Sequence, residues 1–199
     1  MISDAYKSIF VQIPKNAGSS IVKSLGASNF RRVNLSREGP HWDNGGYKVG
    51  TARRLRQLHD DIWRDYFKFT FVRNPWDRMV SSWSWLTKTG KVKRMGFRKF
   101  VMSYPFRHPG ADWHSLPQHV HICDENGRSL VDFVGRFENL DSDFEKVCNK
   151  VGVKYRGPLP HIKKTKHKPY WEYYSNSAVE RCANIFRKDI ELFGYKFRQ

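Results

Sequence analysis

Apolar and polar positions change period repeatedly along this chain, and each change marks an element. Residues 7–13, KSIFVQI, are mostly apolar and β-prone, the pattern of a buried strand. Pro14 ends the run, Gly18 permits an unusual backbone angle, and Ser19 opens an amphipathic stretch predicting a helix over 19–25. Residues 28–47 are irregular and polar, with EGPHWDNGGY marking a long loop. A helical period returns over 51–61, with Leu55, Leu58 and Ile62 on one face. KFTFV, residues 68–72, predicts a second strand, followed by RNP and a helix from 76 to about 86.

A further helix is expected over 97–103, and then loops rich in His and Pro. Residues 119–123 and 130–134 read as short strands separated by the turn DENG. Asp141 or Ser142 is expected to cap a helix carrying Phe144, Val147, Cys148 and Val151. Ser177 and Glu180 form a capping box for a last helix with Val179, Cys182, Phe186 and Phe193 inward. Strands alternating with helices predict an α/β layered fold around a central, mainly parallel sheet. No internal repeat, low-complexity tract or long Ser/Pro linker divides the 199 residues, so one domain over 1–199 is expected.

Charge changes the picture more than length does. Thirty-six Lys and Arg against nineteen acids give a formal +17, a field that favours polyanions. Nucleic acid, an anionic polysaccharide and a multiply phosphorylated nucleotide all fit that sign. Three cysteines are an odd, sparse set rather than a disulfide framework. No apolar run approaches the roughly 20 residues of a membrane span. The first residues lack the apolar core of a signal peptide, so a soluble, cytoplasmic chain is expected.

Two stretches carry candidate chemistry. FVQIPKNAGSSIVKSLG reads as strand, tight loop and helix, which aims backbone N–H groups at one point beside a positive helix end. Nucleotide-triphosphate loops place a lysine after their last glycine; here Lys15 precedes Gly18. FTFVRNPWDRMVSSW repeats the strand–turn–helix plan, putting Arg73 at the carboxyl end of its strand and Ser81 two turns into the helix. If the two strands are parallel neighbours, Lys15 and Arg73 face the same ligand. The competing reading pairs Arg73 with a surface carboxylate and packs Ser81 within its helix.

These residues carry a family resemblance. IPKNAGSSI resembles the 5′-phosphosulfate loop of sulfotransferases that use 3′-phosphoadenylyl sulfate (PAPS), and FVRNPWDRMVSSW resembles their 3′-phosphate segment. The order of VGRFENL, LPHIKKTKHKPY and DIELFGYKF is similar to carbohydrate sulfotransferases, including the heparan and chondroitin branch. The resemblance runs from about residue 8 to 198. It implies a P-loop NTPase-like three-layer fold and transfer of a sulfonate from PAPS to a hydroxyl or amine of a carbohydrate, leaving adenosine 3′,5′-bisphosphate (PAP). By the same resemblance, Lys15 touches the bridging oxygen and sulfonate, and Asn16, Ala17, Gly18, Ser19 and Ser20 cradle the 5′-phosphate. Arg73 and Ser81 hold the 3′-phosphate, while Thr165 and Lys168 close over the nucleotide. A transferring sulfonate carries less charge than a phosphoryl group, so one lysine at the leaving oxygen serves where a kinase uses magnesium. No metal is expected, and neither a GK[ST] sequence nor a strand-terminal Asp for magnesium stands out.

The general base is where the chain departs from that pattern. Relatives commonly carry a His in the segment resembling YKVGTARRL, where this chain has Val49. His41 in the preceding loop is the leading candidate; His59 and His114 are others. HVHIC, as a strand, would put His119, His121 and Cys123 on one face as a zinc set, at awkward spacing for a single ion. KKTKHK with Tyr170, Trp171, Tyr173 and Tyr174 could bind a nucleic-acid backbone and stack bases. A P-loop-type kinase and a basic nucleic-acid-binding module are therefore the alternatives, with no nucleic-acid partner expected under the leading reading. The acceptor is expected to be anionic or polyhydroxylated, because Arg31, Arg32, Arg37, Arg53, Arg54 and Arg56 lie outside both cofactor motifs.

Overall fold

The computed structural model describes residues 1–31, 33, 51–103, 114, 116–160, 162 and 168–198. It is an α/β structure built on a four-stranded sheet flanked by helices, in the order β1 (Ile2–Ser3), β2 (Ser8–Phe10), β3 (Phe67–Val72), β4 (Phe133–Arg136). β1 is antiparallel to β2, and the other two pairings are parallel, with Phe10 opposite Phe69 and Phe71 opposite Gly135. The mainly parallel sheet read from the sequence is therefore present. β1 is an addition: a turn over residues 4–7, with Lys7 at φ 43°, folds it back along β2 and shortens the strand expected from residue 7.

The chain forms two compact units, one of Met1–Val72 with Gln118–Ile162 and one of Arg73–Pro117 with Lys163–Gln199. The first unit holds the sheet. Phe10, Phe69 and Phe71 cover one face and pack with Ile21 and Leu25, from helix α1 (Gly18–Ser24) and its C-cap, and Phe144, Val147 and Cys148 of α7 (Leu140–Val151). Ile9, Val11, Thr70 and Val72 on the opposite face are fully buried too, which is why these strands read as continuous apolar runs. A Cβ on Gly135 would lie 2.5 Å from the Phe71 ring, so β4 can run beside β3 only with glycine there.

Several elements differ from the sequence reading, each for a local reason. The expected helix over 51–61 is two helices, α2 (Ala52–Leu58) and α3 (Asp60–Asp65), broken at His59, whose φ of −142° and ψ of 46° are not helical. Residues 119–123 are not a strand: α6 spans His119–Ile122, with the Cys123 N–H bonded to the His119 carbonyl. Five residues alternating apolar and polar fit one helical turn as well as a strand. The DENG turn does form, as the Asp124 carboxylate accepts from the N–H groups of Asn126 and Arg128 at 3.0 and 2.8 Å.

β4 begins at Phe133, later than expected, and α7 starts at Leu140 with Asn139 in the cap position and no side-chain cap. Asp141 instead accepts from the Leu159 N–H at 2.8 Å.

The second unit contains α4 (Pro75–Lys88), α5 (Phe97–Met102), α8 (Asn176–Ile185) and α9 (Arg187–Phe193). The last expected helix is thus two, parted at Phe186, and its cap is Ser175 rather than Ser177; Ser175 Oγ accepts from the Ala178 N–H. Aromatic rings fill this unit: Tyr174 lies 4.7 Å from Phe97 and 5.4 Å from Phe197, and Trp83 lies 5.5 Å from Tyr173. Cys123, Cys148 and Cys182 are all buried thiols outside any disulfide. Burial pushes the Cys182 thiol up to about 12. Among the described residues, no helix is long and apolar enough to cross a membrane.

Candidate functional site

The first candidate element is the loop between β2 and α1. Lys15 has φ 72° and Ala17 has φ 60°, both in the left-handed region that glycine normally occupies. Each such residue costs on the order of 1–3 kcal/mol and persists only where surrounding structure over-determines it. Asn16, between them, supplies the constraint. It is buried, and its Nδ2 donates to the Phe71 carbonyl at 2.7 Å and to Gln118 Oε1 at 2.8 Å. Left-handed residues alternating with others turn successive N–H groups toward one side, the geometry of an anion-binding nest.

Helix α1 then starts without a side-chain cap and with no acid in its first turn. Residues 12–20 offer a lysine, hydroxyls and backbone N–H groups and no carboxylate, a donor set that fits a phosphate or sulfate ester. Ser19 is exposed and Ser20 buried. Ser20 Oγ accepts from the Ile162 N–H at 3.4 Å, which leaves its own O–H to donate. Ile162 leads into the basic run that starts at Lys163. The unusual backbone angle expected at Gly18 falls instead on Lys15 and Ala17; Gly18 opens α1, and its reason is steric, since a Cβ there would sit 2.5 Å from the Gln12 side chain.

The second candidate element follows β3. Asn74 caps α4 by accepting from the Trp76 N–H at 3.1 Å, and Pro75 occupies the first turn. Its Nδ2 donates to the Lys196 carbonyl at 2.9 Å. Arg73 is 7% exposed, and its Nε and one Nη both donate to Asp77 Oδ2 at 2.8 Å. Arg73 does pair with a carboxylate, but with the largely buried Asp77 rather than with one at the surface. Ser81, one turn beyond Asp77 on the same stripe of α4, is buried. On the next stripe, Arg78 donates to the Leu116 carbonyl at 2.8 Å, and Ser82 donates to the His114 carbonyl at 2.8 Å.

The remaining predicted residues are distributed as follows. His41 and Thr165 lie outside the described residues, as do Val49, Arg32 and Arg37. Lys168 is exposed, with Nζ 3.6 Å from a Glu172 carboxylate oxygen. His59 sits at the α2–α3 break, and the His114 ring packs 4.2 Å from Trp85. The zinc arrangement fails with the strand that was to carry it: His121 and Cys123 are buried on and just past the α6 turn, and no set of three metal-ligating side chains gathers among the described residues. Tyr170, Tyr173 and Tyr174 are engaged in the aromatic packing, while Trp171 is 42% exposed. Sequence reasoning passed over Asn74, Asp77, Arg78 and Gln118. The NP pair signals Asn74, and the i,i+4 spacing signals Asp77; Gln118 bonds across 102 positions, which no local pattern reveals.

The fold is α/β, with a mainly parallel sheet whose second strand opens into a strained, cation-bearing loop. The chain belongs to the sulfotransferase family, whose model matches residues 1–196. It is 35% identical over 88 residues to an uncharacterised protein of Archaeoglobus fulgidus, covering 44% of this chain and 69% of that one. It is 22% identical over 244 aligned positions to carbohydrate sulfotransferase 10 of Xenopus laevis, covering 98% of this chain and 66% of that one. The chain therefore spans about two thirds of the length of these relatives. A sulfotransferase crystal structure from Alicyclobacillus acidocaldarius aligns over 73% of this chain and 63% of its own, at 18% identity and a TM-score of 0.36.

Proposed function

We propose that this chain transfers a sulfonate from PAPS to a hydroxyl or amine of a carbohydrate. The observation that carries the reading is the strained loop holding Lys15 between β2 and α1, in a chain of the sulfotransferase family. In this reading Lys15 meets the bridging oxygen and sulfonate, where negative charge grows as the bond breaks. Backbone N–H groups of Asn16, Ala17, Gly18 and Ser19, with the Ser20 hydroxyl, hold the 5′-phosphate; the Asn16 side chain serves as anchor beneath them. Arg73 and Ser81 take the 3′-phosphate, Thr165 and Lys168 cover the nucleotide, and His41 is the candidate base. The excess of cations favours an anionic glycan as acceptor, and the likeness to a carbohydrate sulfotransferase supports that class.

Calorimetric titration with PAP in EDTA tests the donor half. Binding without added metal is expected, alongside no comparable binding of ATP–magnesium or of an oligonucleotide. Binding that appears only with a divalent cation would transfer the chain to the kinase reading. Transfer from PAPS to a carboxylated glycan and to a small phenol across rising salt tests the acceptor half. The glycan rate is expected to dominate and to fall with salt, since exposed charges are screened beyond about 8–10 Å at physiological ionic strength.

A further inference from the structure

We infer that Gln118 is a positioning residue for Lys15, acting through Asn16. The inference rests on the reading of Lys15 as the group at the leaving oxygen. Two left-handed, non-glycine residues flank Asn16, so the loop relaxes to another backbone path unless Asn16 is held. Both N–H bonds of its side-chain amide are committed, one to the Phe71 carbonyl and one to Gln118 Oε1. The Phe71 carbonyl belongs to a strand paired on both sides. Gln118 supplies the other half of the grip from just before α6. It is fully buried, and its own carbonyl accepts from the His121 N–H at 3.0 Å, so the helix turn fixes it in turn.

A second observation says the grip serves the loop rather than bulk stability. Asn16 Oδ1 is buried and has no hydrogen-bond partner among the described residues. A buried acceptor left unmatched lowers stability, and an apolar residue at this position would avoid it. What an apolar residue cannot supply is two donors aimed at a strand carbonyl and a glutamine. Local departures of this kind concentrate where function needs them.

The test begins with Gln118→Met, which keeps length and burial but removes the oxygen acceptor, and Gln118→Glu, which keeps an acceptor oxygen at the same reach. The Met variant should lower kcat for sulfonate transfer about tenfold or more, with the Kd for PAP changed far less, because a small displacement of a reacting group slows chemistry more than binding. The Glu variant should recover most of that loss. In an Asn16→Ala background, Gln118→Met should add less than about twofold, since the two residues act as one unit. Additive losses in that cycle, or equal losses in the Met and Glu variants, would overturn the assignment. Should either variant fail to fold, the unmodified protein still decides. Both side-chain amide protons of Asn16 should exchange about tenfold slower than those of an exposed asparagine, and fast exchange of either sinks the proposal. Slow exchange in a protein that transfers no sulfonate would refute the proposed activity and leave the anchor standing.

Discussion

The loops after β2 and β3 solve the same problem, turning a strand into a helix, by opposite means. After β3 the turn is relaxed and the helix is capped: Asn74 accepts the Trp76 N–H and Pro75 starts the first turn. After β2 two residues are held left-handed, and the cap position before α1 is Ala17, whose side chain offers no cap. A capped helix end has part of its donor set already satisfied by its own chain, so under the proposed function the segment after β3 contributes mainly through side chains such as Arg73, in the turn, and Ser81, on α4. An uncapped end keeps its first N–H groups for something else. Under the proposed function, the difference teaches that one loop binds with backbone and the other with side chains. Strain belongs to the first, because only an unusual backbone path turns neighbouring N–H groups together.

If that contrast holds, the two loops fail differently when altered. The largest effect is expected from Lys15→Ala, which should lower kcat by about 10²–10³, the scale of one lost charge-stabilising donor in a transition state. PAP affinity should change only a few-fold, as read by calorimetry beside single-turnover kinetics. Arg73→Ala should do the reverse and weaken PAP binding about ten- to a hundred-fold, the equivalent of about 1.5–3 kcal/mol for a charge-assisted bond. Turnover at saturating nucleotide should stay near the parent value. Matching losses of affinity with unchanged turnover in both variants would erase the distinction.

Stability sharpens the comparison further. Asn74→Ala removes both the α4 cap and the bond to the Lys196 carbonyl, and should cost about 2–3 kcal/mol in urea unfolding, a lost N-cap plus a lost buried hydrogen bond. The smallest effect is expected at the other loop. Ala17→Gly relieves the left-handed alanine but gives the unfolded chain more freedom, for a net gain of about 0.5 kcal/mol. A loss beyond about 1 kcal/mol would mean that the Ala17 methyl packs, and that the strain is less than its φ implies.

Much of this was legible in the sequence wherever the signal is short-range. FVQIP and FTFVRNP announced strand, turn and helix because a buried parallel strand leaves an unbroken apolar run and proline or an Asn cap ends it. The turn at Asp124 was equally plain. What failed was continuity. Residues 51–65 and 176–193 keep a helical period through His59 and Phe186, and nothing in the spacing of apolar residues says the backbone breaks there. HVHIC failed for the opposite reason, being too short for its period to have meaning. In the candidate site, the cations were legible from their place beside strand ends. Their fastening was not, because Asn16 reaches Phe71 and Gln118, 55 and 102 positions away.

The three buried thiols give the molecule a clock. Cys123 and Cys148 lie in the first unit and Cys182 in the second, and each is out of reach of an alkylating reagent while its surroundings stay closed. Cys182, held protonated by burial, is doubly inert. Reagent can then label only when a unit opens, so mass spectrometry of peptides bearing Cys148 and Cys182 times the opening of each unit separately under native conditions. A single shared rate marks one cooperative body, and two rates mark two. Nothing has to be engineered into the chain to read them.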